Sequence, residues 1–276
     1  MNIILKNVSY IYNPDTVNEK TAVSDINLEI GGSSFIALAG STGSGKSTLV
    51  QMLNALKLPT RGTITYDGET AGTDKKKQRE IRCRVGLVFQ YPEYQLFDET
   101  LLKDVSFGPR NKGLSRDEAE QKAKKAILDV GLDEEMYLKS PFDLSGGEKR
   151  RAAIAGVLAM EPEVLILDEP TAGLDPVGKK QILELLKEYQ RKNKACIIMI
   201  SHNMDEIAEY ADRVIVMSKG RIIMDGAASD IFVHENELKE AGLSLPQASE
   251  LAKSLGIEGV ITIEDAAREI FCKYNR

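Results

Sequence analysis

A run of glycines and hydroxyl residues that ends in a lysine and a serine occupies residues 40–47, with the sequence Gly-Ser-Thr-Gly-Ser-Gly-Lys-Ser. This spacing matches the pattern GxxxxGK[ST] in full. Glycines here let successive backbone N–H groups turn toward one anion, a lysine can bridge two outer phosphates, and a hydroxyl can ligate Mg²⁺. The run therefore predicts a site for a nucleoside triphosphate and Mg²⁺. The residues assigned to it are Gly40, Ser41, Thr42, Gly43, Ser44, Gly45, Lys46, Ser47 and Thr48.

Two adjacent carboxylates supply the complementary chemistry. Asp168 and Glu169 follow the apolar run at residues 164–167. A carboxylate at the carboxyl end of a buried strand can hold the Mg²⁺ shell, together with the hydroxyl of Ser47. The next carboxylate can orient an attacking water or accept its proton. We therefore expect Asp168 to act as a metal ligand and Glu169 as the catalytic base.

The base of the nucleotide is predicted by the absence of a guanine-binding element. Such an element usually reads Asn-Lys-x-Asp. Neither Asn111-Lys112 nor Asn193-Lys194 is followed by Asp two residues later. Adenine is therefore favoured over guanine.

Both motifs lie where an α/β fold would place them. Short apolar runs predict buried strands, and segments with helical spacing of apolar residues lie between them, which predicts a mostly parallel sheet with helices on both faces. A final hairpin is expected around Lys219-Gly220. The strands are predicted at residues 35–39, 85–89, 164–167 and 195–200, and the helices at residues 46–56, 179–192 and 204–210.

Three further segments flank this core. Residues 1–30 read as strands, with Val23, Ile26, Leu28 and Ile30 directed inward. Residues 92–160 read as helical, and Ser115 with Glu118 forms a capping-box pattern. Beyond Gly226 the chain changes to short amphipathic helices. We predict a nucleotide-binding domain at residues 1–226, with a helical subdomain at about 92–160, and an accessory segment at 227–276.

Composition narrows the function classes. The 276 residues hold 36 Lys and Arg against 42 Asp and Glu, a net charge of −6, which argues against a nucleic-acid binder. Cys83, Cys196 and Cys272 are too scattered for a disulfide framework or a zinc site, so free thiols are expected. The first residues do not resemble a signal peptide, and no apolar run could cross a bilayer. Any action at a membrane should therefore require a partner or a surface helix.

The segment Leu-Ser-Gly-Gly-Glu-Lys-Arg-Arg at residues 144–151 lies upstream of the Asp168 strand. Together with Gln90, Asp175 and His202, in this order along the chain, it resembles the ATP-binding-cassette (ABC) ATPases over about residues 1–226. The resemblance implies a P-loop NTPase with a RecA-like, mostly parallel core. It also implies an antiparallel N-terminal β subdomain, a helical signature subdomain and, here, a short C-terminal helical extension.

The same resemblance implies roles for individual residues. Ser145, Gly146 and Gly147 would offer donors to a γ-phosphate that the opposite subunit holds, so one chain would carry two half-sites. Gln90 would reach Mg²⁺ and the attacking water, and His202 would contact the γ-phosphate. The resemblance also implies that Asp175 crosses the dimer interface and that Tyr12 stacks on adenine, with Tyr10 as the alternative.

One position departs from the family pattern. Glu148 follows the signature glycines, where the family usually has Gln. A carboxylate near a phosphate is unfavourable unless a basic neighbour offsets its charge. We expect Lys149, Arg150 or Arg151 to do so, which would make this a tolerated variation.

The sequence after Gln90 resembles a narrower group within this family. Residues 90–97, 104–109 and 155–162 resemble the ATPases of energy-coupling factor (ECF) transporters, which are related to cobalt-uptake ATPases. The polar connector at 13–21 and the helical tail resemble the second of the two paired ATPase types. Family knowledge implies Mg²⁺-dependent ATP hydrolysis that energises import of a vitamin or a metal ion.

The resemblance also implies partners. These are a sister ATPase, a transmembrane coupling subunit and a substrate-binding membrane subunit. The resemblance favours a different chain as the sister ATPase over a second copy of this one. Nucleic acid is not an expected partner. The chain would lie peripherally on the cytoplasmic face of the cell membrane. Tyr91, Tyr94, Leu96 and Phe97 would form part of a groove for the coupling helices of the partner.

Other classes of cassette ATPase would share part of this pattern. A conventional ABC transporter ATPase would share the fold and the site. Only the sequence after Gln90 and the tail favour the ECF class over it. Non-transport cassettes that act on nucleic acid normally insert long coiled coils or zinc modules, and residues 48–143 hold neither. A translation-type cassette protein would carry two sets of motifs, and this chain carries one.

Overall fold

The computed structural model describes residues 1–257 and 259–274, and it contains two sheets surrounded by helices. Within these residues, no helix combines the length and the apolar character that crossing a bilayer requires. The strands are β1 (Ile3–Tyr12), β2 (Lys20–Ile30), β3 (Phe35–Ala39), β4 (Arg61–Tyr66), β5 (Glu69–Thr70), β6 (Val85–Val88), β7 (Val164–Asp168), β8 (Cys196–Ile200), β9 (Arg213–Ser218) and β10 (Arg221–Ala227).

Helices connect the strands of the larger sheet and continue into the tail. They are α1 (Lys46–Leu53), α2 (Lys75–Arg84), α3 (Leu101–Lys112), α4 (Arg116–Asp129), α5 (Gly146–Leu158), α6 (Pro176–Asn193), α7 (Met204–Tyr210), α8 (Ala228–Ile231), α9 (Glu235–Glu240), α10 (Gln247–Ser254) and α11 (Ile263–Tyr274). Short 3₁₀ turns at Pro92–Gln95, Glu134–Met136 and Pro141–Asp143 complete the helical region.

The larger sheet has the strand order β10-β9-β3-β8-β7-β6. All neighbouring strands are parallel except the β9–β10 hairpin at the edge. β3, β7 and β8 are apolar along their buried length, as expected for strands covered on both faces. The predicted α/β fold with a mostly parallel core is confirmed.

A second, antiparallel sheet has the order β2-β1-β4-β5. Its strands contribute Ile3, Leu5, Val8, Val23 and Ile26 to one hydrophobic cluster with α1 and one face of the larger sheet. The inward-facing residues predicted for β2 are buried. Val23 and Ile26 are both buried although they are three residues apart, because Asp25 has a positive φ of 53° and shifts the register.

The opposite face of the larger sheet packs against the helical region. Buried residues of β7 and β8 form one cluster with α3, α4, α5 and α6. The predicted capping box at the start of α4 is present, with Ser115 and Glu118 bonded to each other's backbone N–H groups. Gly131, with a φ of 73°, follows the end of this helix.

The predicted helix at residues 46–56 is three residues too long. α1 ends at Leu53, because Ala55 adopts a left-handed φ of 54°. As a result, the side chain of Leu56 leaves the apolar stripe and is 48% exposed. Its helical spacing with Met52 and Leu53 was a misleading signal.

The tail forms two different contacts. Phe232, Leu238 and Leu243 share a cluster with Ala37, Ala39 and residues of α7 and β9, so the first part of the tail packs directly on the core. The last part has a small cluster of its own around Ala248, Ala252, Val260 and Ala266. The division of the chain at residues 226 and 227 stays a prediction.

Candidate active site

The carboxyl ends of four parallel strands meet at one edge of the larger sheet. β3 leads into Gly40, β6 is followed by Gln90, β7 ends at Asp168, and β8 is followed by His202. β3 and β7 flank β8, with Leu38 and Asp168 both paired to Ile200. This arrangement brings residues that are far apart in sequence to the edge where open α/β sheets bind ligands.

A cleft of about 830 Å³ opens at this edge. Most of the residues predicted for the nucleotide and the metal line it, and Ser44 is the member of the glycine loop that does not. The predicted residues that line the cleft are Tyr12, Gly40, Ser41, Thr42, Gly43, Gly45, Lys46, Ser47, Thr48, Gln90, Asp168, Glu169 and His202.

The glycine loop needs glycine at two positions for steric reasons. Gly40 has a φ of 146°, and a Cβ there would overlap the carbonyl oxygen of Met217. Gly45 has a φ of 107°, and a Cβ there would overlap the carbonyl oxygen of Ala22. The loop therefore passes between two other backbone segments before α1 begins at Lys46.

The ammonium group of Lys46 lies inside this loop. Its Nζ donates to the carbonyl oxygens of Gly40 at 2.7 Å and Ser41 at 2.9 Å, and to the buried hydroxyl of Ser44 at 3.3 Å. Burial lowers the pKa of Lys46, an effect that the nearby Asp168 and Glu169 oppose. A positive charge is thus held in a partly desolvated place, where a phosphate would compensate it.

Ser47 and Asp168 are close enough to share a metal ion. The hydroxyl of Ser47 donates to Oδ2 of Asp168 at 3.1 Å. Burial raises the pKa of Asp168, and the charge of Glu169 raises it further, while the bond from Ser47 and the charge of Lys46 lower it. Hydroxyl and carboxylate oxygens are the ligands that Mg²⁺ prefers, and a cation would relieve the desolvated carboxylate, so the donor set fits Mg²⁺.

Glu169 is the centre of a hydrogen-bonded trio. Its Oε2 accepts from Nε2 of Gln90 at 3.2 Å, and its Oε1 lies 3.0 Å from Nδ1 of His202. The backbone of Glu169 has a left-handed φ of 49°, a costly conformation for a residue with a side chain. The fold therefore brings the three predicted catalytic groups together at the cleft, with Gln90 and His202 both in contact with Glu169.

Tyr12 lies on the wall of the cleft beside Thr48. The Oη of Tyr12 and the Oγ1 of Thr48 are 3.1 Å apart, and the ring of Tyr10 packs edge-on against that of Tyr12 at 4.9 Å between centroids. The Nζ of Lys57 lies 4.8 Å from the centroid of the Tyr12 ring. Between the two aromatic candidates, Tyr12 lines the cleft and Tyr10 supports it.

The signature residues lie outside this cleft. Ser145 caps the N-terminus of α5, and Ser145 and Gly146 are exposed. Gly147 follows in the first turn of the helix. Exposed backbone N–H groups at the start of a helix form a place where an anion binds. One chain therefore presents two separate surfaces suited to phosphate.

Glu148 is held by the start of its own helix. It accepts from the backbone N–H of Ser145 at 2.7 Å in a complete capping box. The hydrogen bonds to Ser145 lower the pKa of Glu148, and the charges of Arg151 and Lys139 add to this. Of the basic neighbours predicted to offset the carboxylate, Arg151 does so. Arg150 is instead buried and paired with Glu93 at 2.8 Å.

Asp175 caps another helix. Its Oδ1 accepts from the backbone N–H of Gly178 at 2.8 Å, which starts α6 at Pro176. Asp175 is exposed and does not line the cleft. A contact with a second subunit stays a prediction for this residue.

Sequence reasoning missed five residues that line the cleft. Lys20 and Ala22 come from β2, and Ile200 ends β8. Gly242 and Leu243 come from the tail. No motif identifies these residues, because their place depends on how β2 and the tail pack around the loop. The tail contact is the unexpected one.

The aromatic segment after Gln90 divides between surface and core. Tyr91, Tyr94 and Phe97 are exposed, with Tyr94 at 85%. Leu96 is 6% exposed and belongs to the cluster with α3 and α5, but it lines the same surface groove as Phe97, so its assignment to a docking groove stays a prediction. Phe97 instead pairs edge-on with Phe107, at 5.0 Å between ring centroids, and both line a surface groove of about 320 Å³.

Comparison with known proteins identifies the family. A family model described as "ABC transporter" matches residues 23–172. The energy-coupling factor transporter ATP-binding protein EcfA2 of Clostridium perfringens is 52% identical, over 94% of this chain and 91% of that protein. The chain belongs to this family. The proteins of the same name from Clostridium tetani and Bacillus subtilis are 50% and 49% identical, over 100% and 91% of this chain and 98% and 95% of those proteins.

Solved structures agree. The structure of cbiO1 from Clostridium perfringens, described as part of the ABC transporter complex cbiONQ, has a TM-score of 0.77 and 37% identity, over 91% of this chain and 98% of that one. The cassette MJ0796, solved as a dimer bound to ADP and Pi, has a TM-score of 0.73 and 28% identity, over 82% of this chain and 98% of that one. The predicted class, an ATP-binding subunit of an ECF transporter, is confirmed.

Proposed function

We propose that this chain hydrolyses ATP with Mg²⁺ and thereby energises import of a vitamin or a metal ion through an ECF-type transporter. The observation that carries the proposal is the contact of Glu169 with both Gln90 and His202, beside the Ser47–Asp168 pair. These groups converge on one cleft with the glycine loop. Together they supply a base, donors and metal ligands for attack of water on a triphosphate.

Binding of the triphosphate follows from the loop. The backbone of residues 40–45 and the start of α1 surround the phosphates, and Lys46 supplies a positive charge to the two outer ones. Ser47 and Asp168 would hold Mg²⁺, and Gln90, which lines the same cleft, would contribute to its binding. The bound ion would neutralise charge that develops on the phosphate oxygens. Tyr12 offers its ring to the adenine.

Hydrolysis follows from the trio around Glu169. The carboxylate orients a water molecule toward the γ-phosphorus and accepts its proton as the new P–O bond forms and the bond to the ADP oxygen breaks. Gln90 donates to the carboxylate and holds it at the cleft. His202, 70% exposed on its side chain, projects where it can donate to the γ-phosphate.

Completion of the site requires a second chain. Ser145, Gly146 and Gly147 lie away from the cleft of their own chain, so the nucleotide of one subunit would be closed by the signature residues of another. The dimer of MJ0796, bound to ADP and Pi, supports such an arrangement. We propose that the second chain is a sister ATPase, and that Asp175 contacts it.

Coupling to the membrane is assigned to the exposed aromatic groove. Phe97 and Phe107 line this groove in front of α2, α3 and α5, and the exposed Tyr94 lies three residues before Phe97 in the chain. Apolar area of this kind contributes about 25 cal/mol per Å² when a partner covers it. We propose that a transmembrane coupling subunit docks here on the cytoplasmic face, and that a separate membrane subunit binds the cargo.

The catalytic assignment is tested with Glu169→Gln. The amide keeps the contact geometry but cannot accept the proton, so ATP turnover of the purified transporter should fall by about 10²-fold or more. ATP should remain bound and the closed dimer should accumulate in size-exclusion chromatography. Wild-type turnover in this variant would exclude Glu169 as the base.

The membrane assignment is tested by co-purification from membranes. Phe97→Ala and Phe107→Ala should reduce recovery of the transmembrane subunit while ATP binding by the isolated chain stays the same. Leu138→Ala removes a side chain that is 80% exposed and does not line this groove, so it is the matched control. Equal recovery with all three variants would contradict docking at this surface.

A further inference from the structure

A buried carboxylate lies behind the catalytic groups and touches none of them directly. Glu206, in the first turn of α7, is 7% exposed. Its Oε2 accepts from the hydroxyls of Thr171 at 2.8 Å and Ser201 at 3.3 Å. Its Oε1 accepts from Nδ2 of Asn203 at 3.1 Å and lies 3.5 Å from Nζ of Lys179.

Three of these four neighbours come from the two loops that carry the catalytic groups. Thr171 is two residues after Glu169, and Ser201 and Asn203 flank His202 on both sides. The backbone already joins these loops once, since Glu169 donates its N–H to the carbonyl of Ile200 at 3.0 Å. Glu206 adds a side-chain connection on the far side of the same loops.

A carboxylate is the side chain that this position demands. All four neighbours can donate a hydrogen bond, and only a carboxylate accepts hydrogen bonds on two oxygens at once. Lys179, on α6, balances the charge, which a buried carboxylate needs. A network whose members are all bonded is rigid and holds a single arrangement.

We infer that Glu206 is a positioning residue that fixes the distance between Glu169 and His202 by clamping Thr171 to Ser201 and Asn203. The inference rests on the proposed roles of Glu169 and His202 in hydrolysis. Glu206 lies behind the loops and lines no part of the cleft, so it should affect turnover without affecting nucleotide affinity.

The clamp is tested first by kinetics of the assembled transporter. Thr171→Val keeps the shape of the side chain and removes the hydroxyl that bonds to Glu206. Its kcat for ATP should fall by about 10- to 100-fold, the scale expected for a small misplacement of catalytic groups, with KM changed by less than about twofold. Thr171→Ser restores the hydroxyl and should restore most of kcat. Glu184→Gln is the matched control, because Glu184 also joins α6 to α7, through Tyr210 at 3.1 Å.

A second readout needs neither a partner nor turnover. The chain has two histidines, His202 and His234, so their imidazole NMR signals are simple to assign. In Thr171→Val and Glu206→Gln the signals of His202 should shift, because its contact with Glu169 at 3.0 Å is disturbed, while those of His234 stay in place. Glu184→Gln should shift neither.

The possible outcomes distinguish the role of Glu206 from the proposed ATPase function. Unchanged kcat and unchanged His202 signals in Thr171→Val would overturn the inference. A kcat in Thr171→Ser as low as in Thr171→Val would overturn it as well, since the hydroxyl would then be irrelevant. A wild-type transporter without ATPase activity would overturn the proposed function, whereas a shift of the His202 signals would still support the clamp.

Discussion

At the scale of single residues, the signature motif shows how a charge can be tolerated beside a phosphate site. Glu148 serves the start of α5 through its bond to the N–H of Ser145, and Arg151 lies near enough to help lower its pKa. The same capping box occurs at Ser115 and Glu118 at the start of α4. Local helix chemistry therefore explains the acidic residue, although its negative charge remains near the exposed glycines.

Glu148→Gln should separate these two contributions. Glutamine can also accept from the N–H of Ser145, so the free energy of unfolding should change by less than about 1 kcal/mol. Removal of a negative charge should favour docking of the γ-phosphate of a second subunit. We expect ATP-dependent dimerisation to occur at lower ATP concentration, measured by light scattering. The protein with Glu148 and the Glu148→Gln variant are compared with Glu169→Gln present in each.

The control is Glu118→Gln, which changes an identical capping box in α4. It should leave the ATP dependence of dimerisation unchanged. If both variants shift that dependence equally, the effect is one of helix stability, and the electrostatic explanation fails.

Much of the site was predictable at this scale. The glycine-loop pattern identifies Lys46, and the apolar run before them identifies Asp168 and Glu169. The structure places all three at one cleft. The start of α6 was predicted three residues too late, at residue 179, although Asp175 followed by Pro176 is a typical helix start. Glu206 was not predictable, because a lone glutamate in a helix gives no sign that its donors come from two distant loops.

At the scale of elements, the tail turn after α9 reaches the phosphate loop. Gly242 has a φ of 76°, and a Cβ there would lie 3.3 Å from the Cβ of Ser41. The next helix is held nearby, since Asp205 in α7 accepts from the N–H of Gln247 at 2.7 Å. The tail thus lies against the glycine loop and is hydrogen-bonded to the helix that follows His202.

Gly242→Ala should therefore weaken nucleotide binding. Part of its effect is the strain of a left-handed residue with a side chain, about 1–2 kcal/mol, which would lower stability alone. The rest is a steric clash of the new Cβ with Ser41, which would displace the glycine loop. The Kd for ATP should therefore rise severalfold, measured by isothermal titration calorimetry.

Gly259→Ala provides the comparison for Gly242→Ala. Gly259 has the same φ of 76°, but a Cβ there would meet no atom of the described residues within 4 Å. It should carry the backbone cost without the change in Kd. The same Kd shift in both variants would show that the tail acts on stability alone.

Sequence patterns predicted most elements because each one carries a local signal. The apolar runs of β3 and β8, the capping box of α4 and the glycine after it are readable within a few residues. The end of α1 was misplaced because Leu56 fits the helical spacing although Ala55 leaves the helix. Contact of the tail with the phosphate loop depends on tertiary packing against Ala37 and Ala39, which no local pattern encodes.

At the scale of the whole molecule, the signature helix α5, the turn Pro92–Gln95 beside the groove and the loop after Glu169 meet at one guanidinium. Arg150 is 3% exposed and forms a two-pronged pair with Glu93, at 2.8 and 3.2 Å. Its Nη1 also donates to the carbonyl oxygens of Pro170 and Ala172, which follow Glu169. If a partner displaced this turn, we would expect the movement to reach α5 and the loop after Glu169 through Arg150.

The energetic weight of this junction can be measured with a double-mutant cycle. Glu93→Gln leaves the buried guanidinium without its countercharge, and Arg150→Met leaves Glu93 and two carbonyl oxygens unpaired. Each should lower the free energy of unfolding by about 3 kcal/mol, measured by urea denaturation. Combined, they should cost less than their sum by at least about 1 kcal/mol, because the second change removes a group that the first left unpaired. Arg116→Gln, which breaks an exposed pair with Glu120, should cost under about 1 kcal/mol. Strict additivity of Glu93→Gln and Arg150→Met would mean that the two residues do not form an energetic unit and that the groove and the catalytic loop are joined elsewhere.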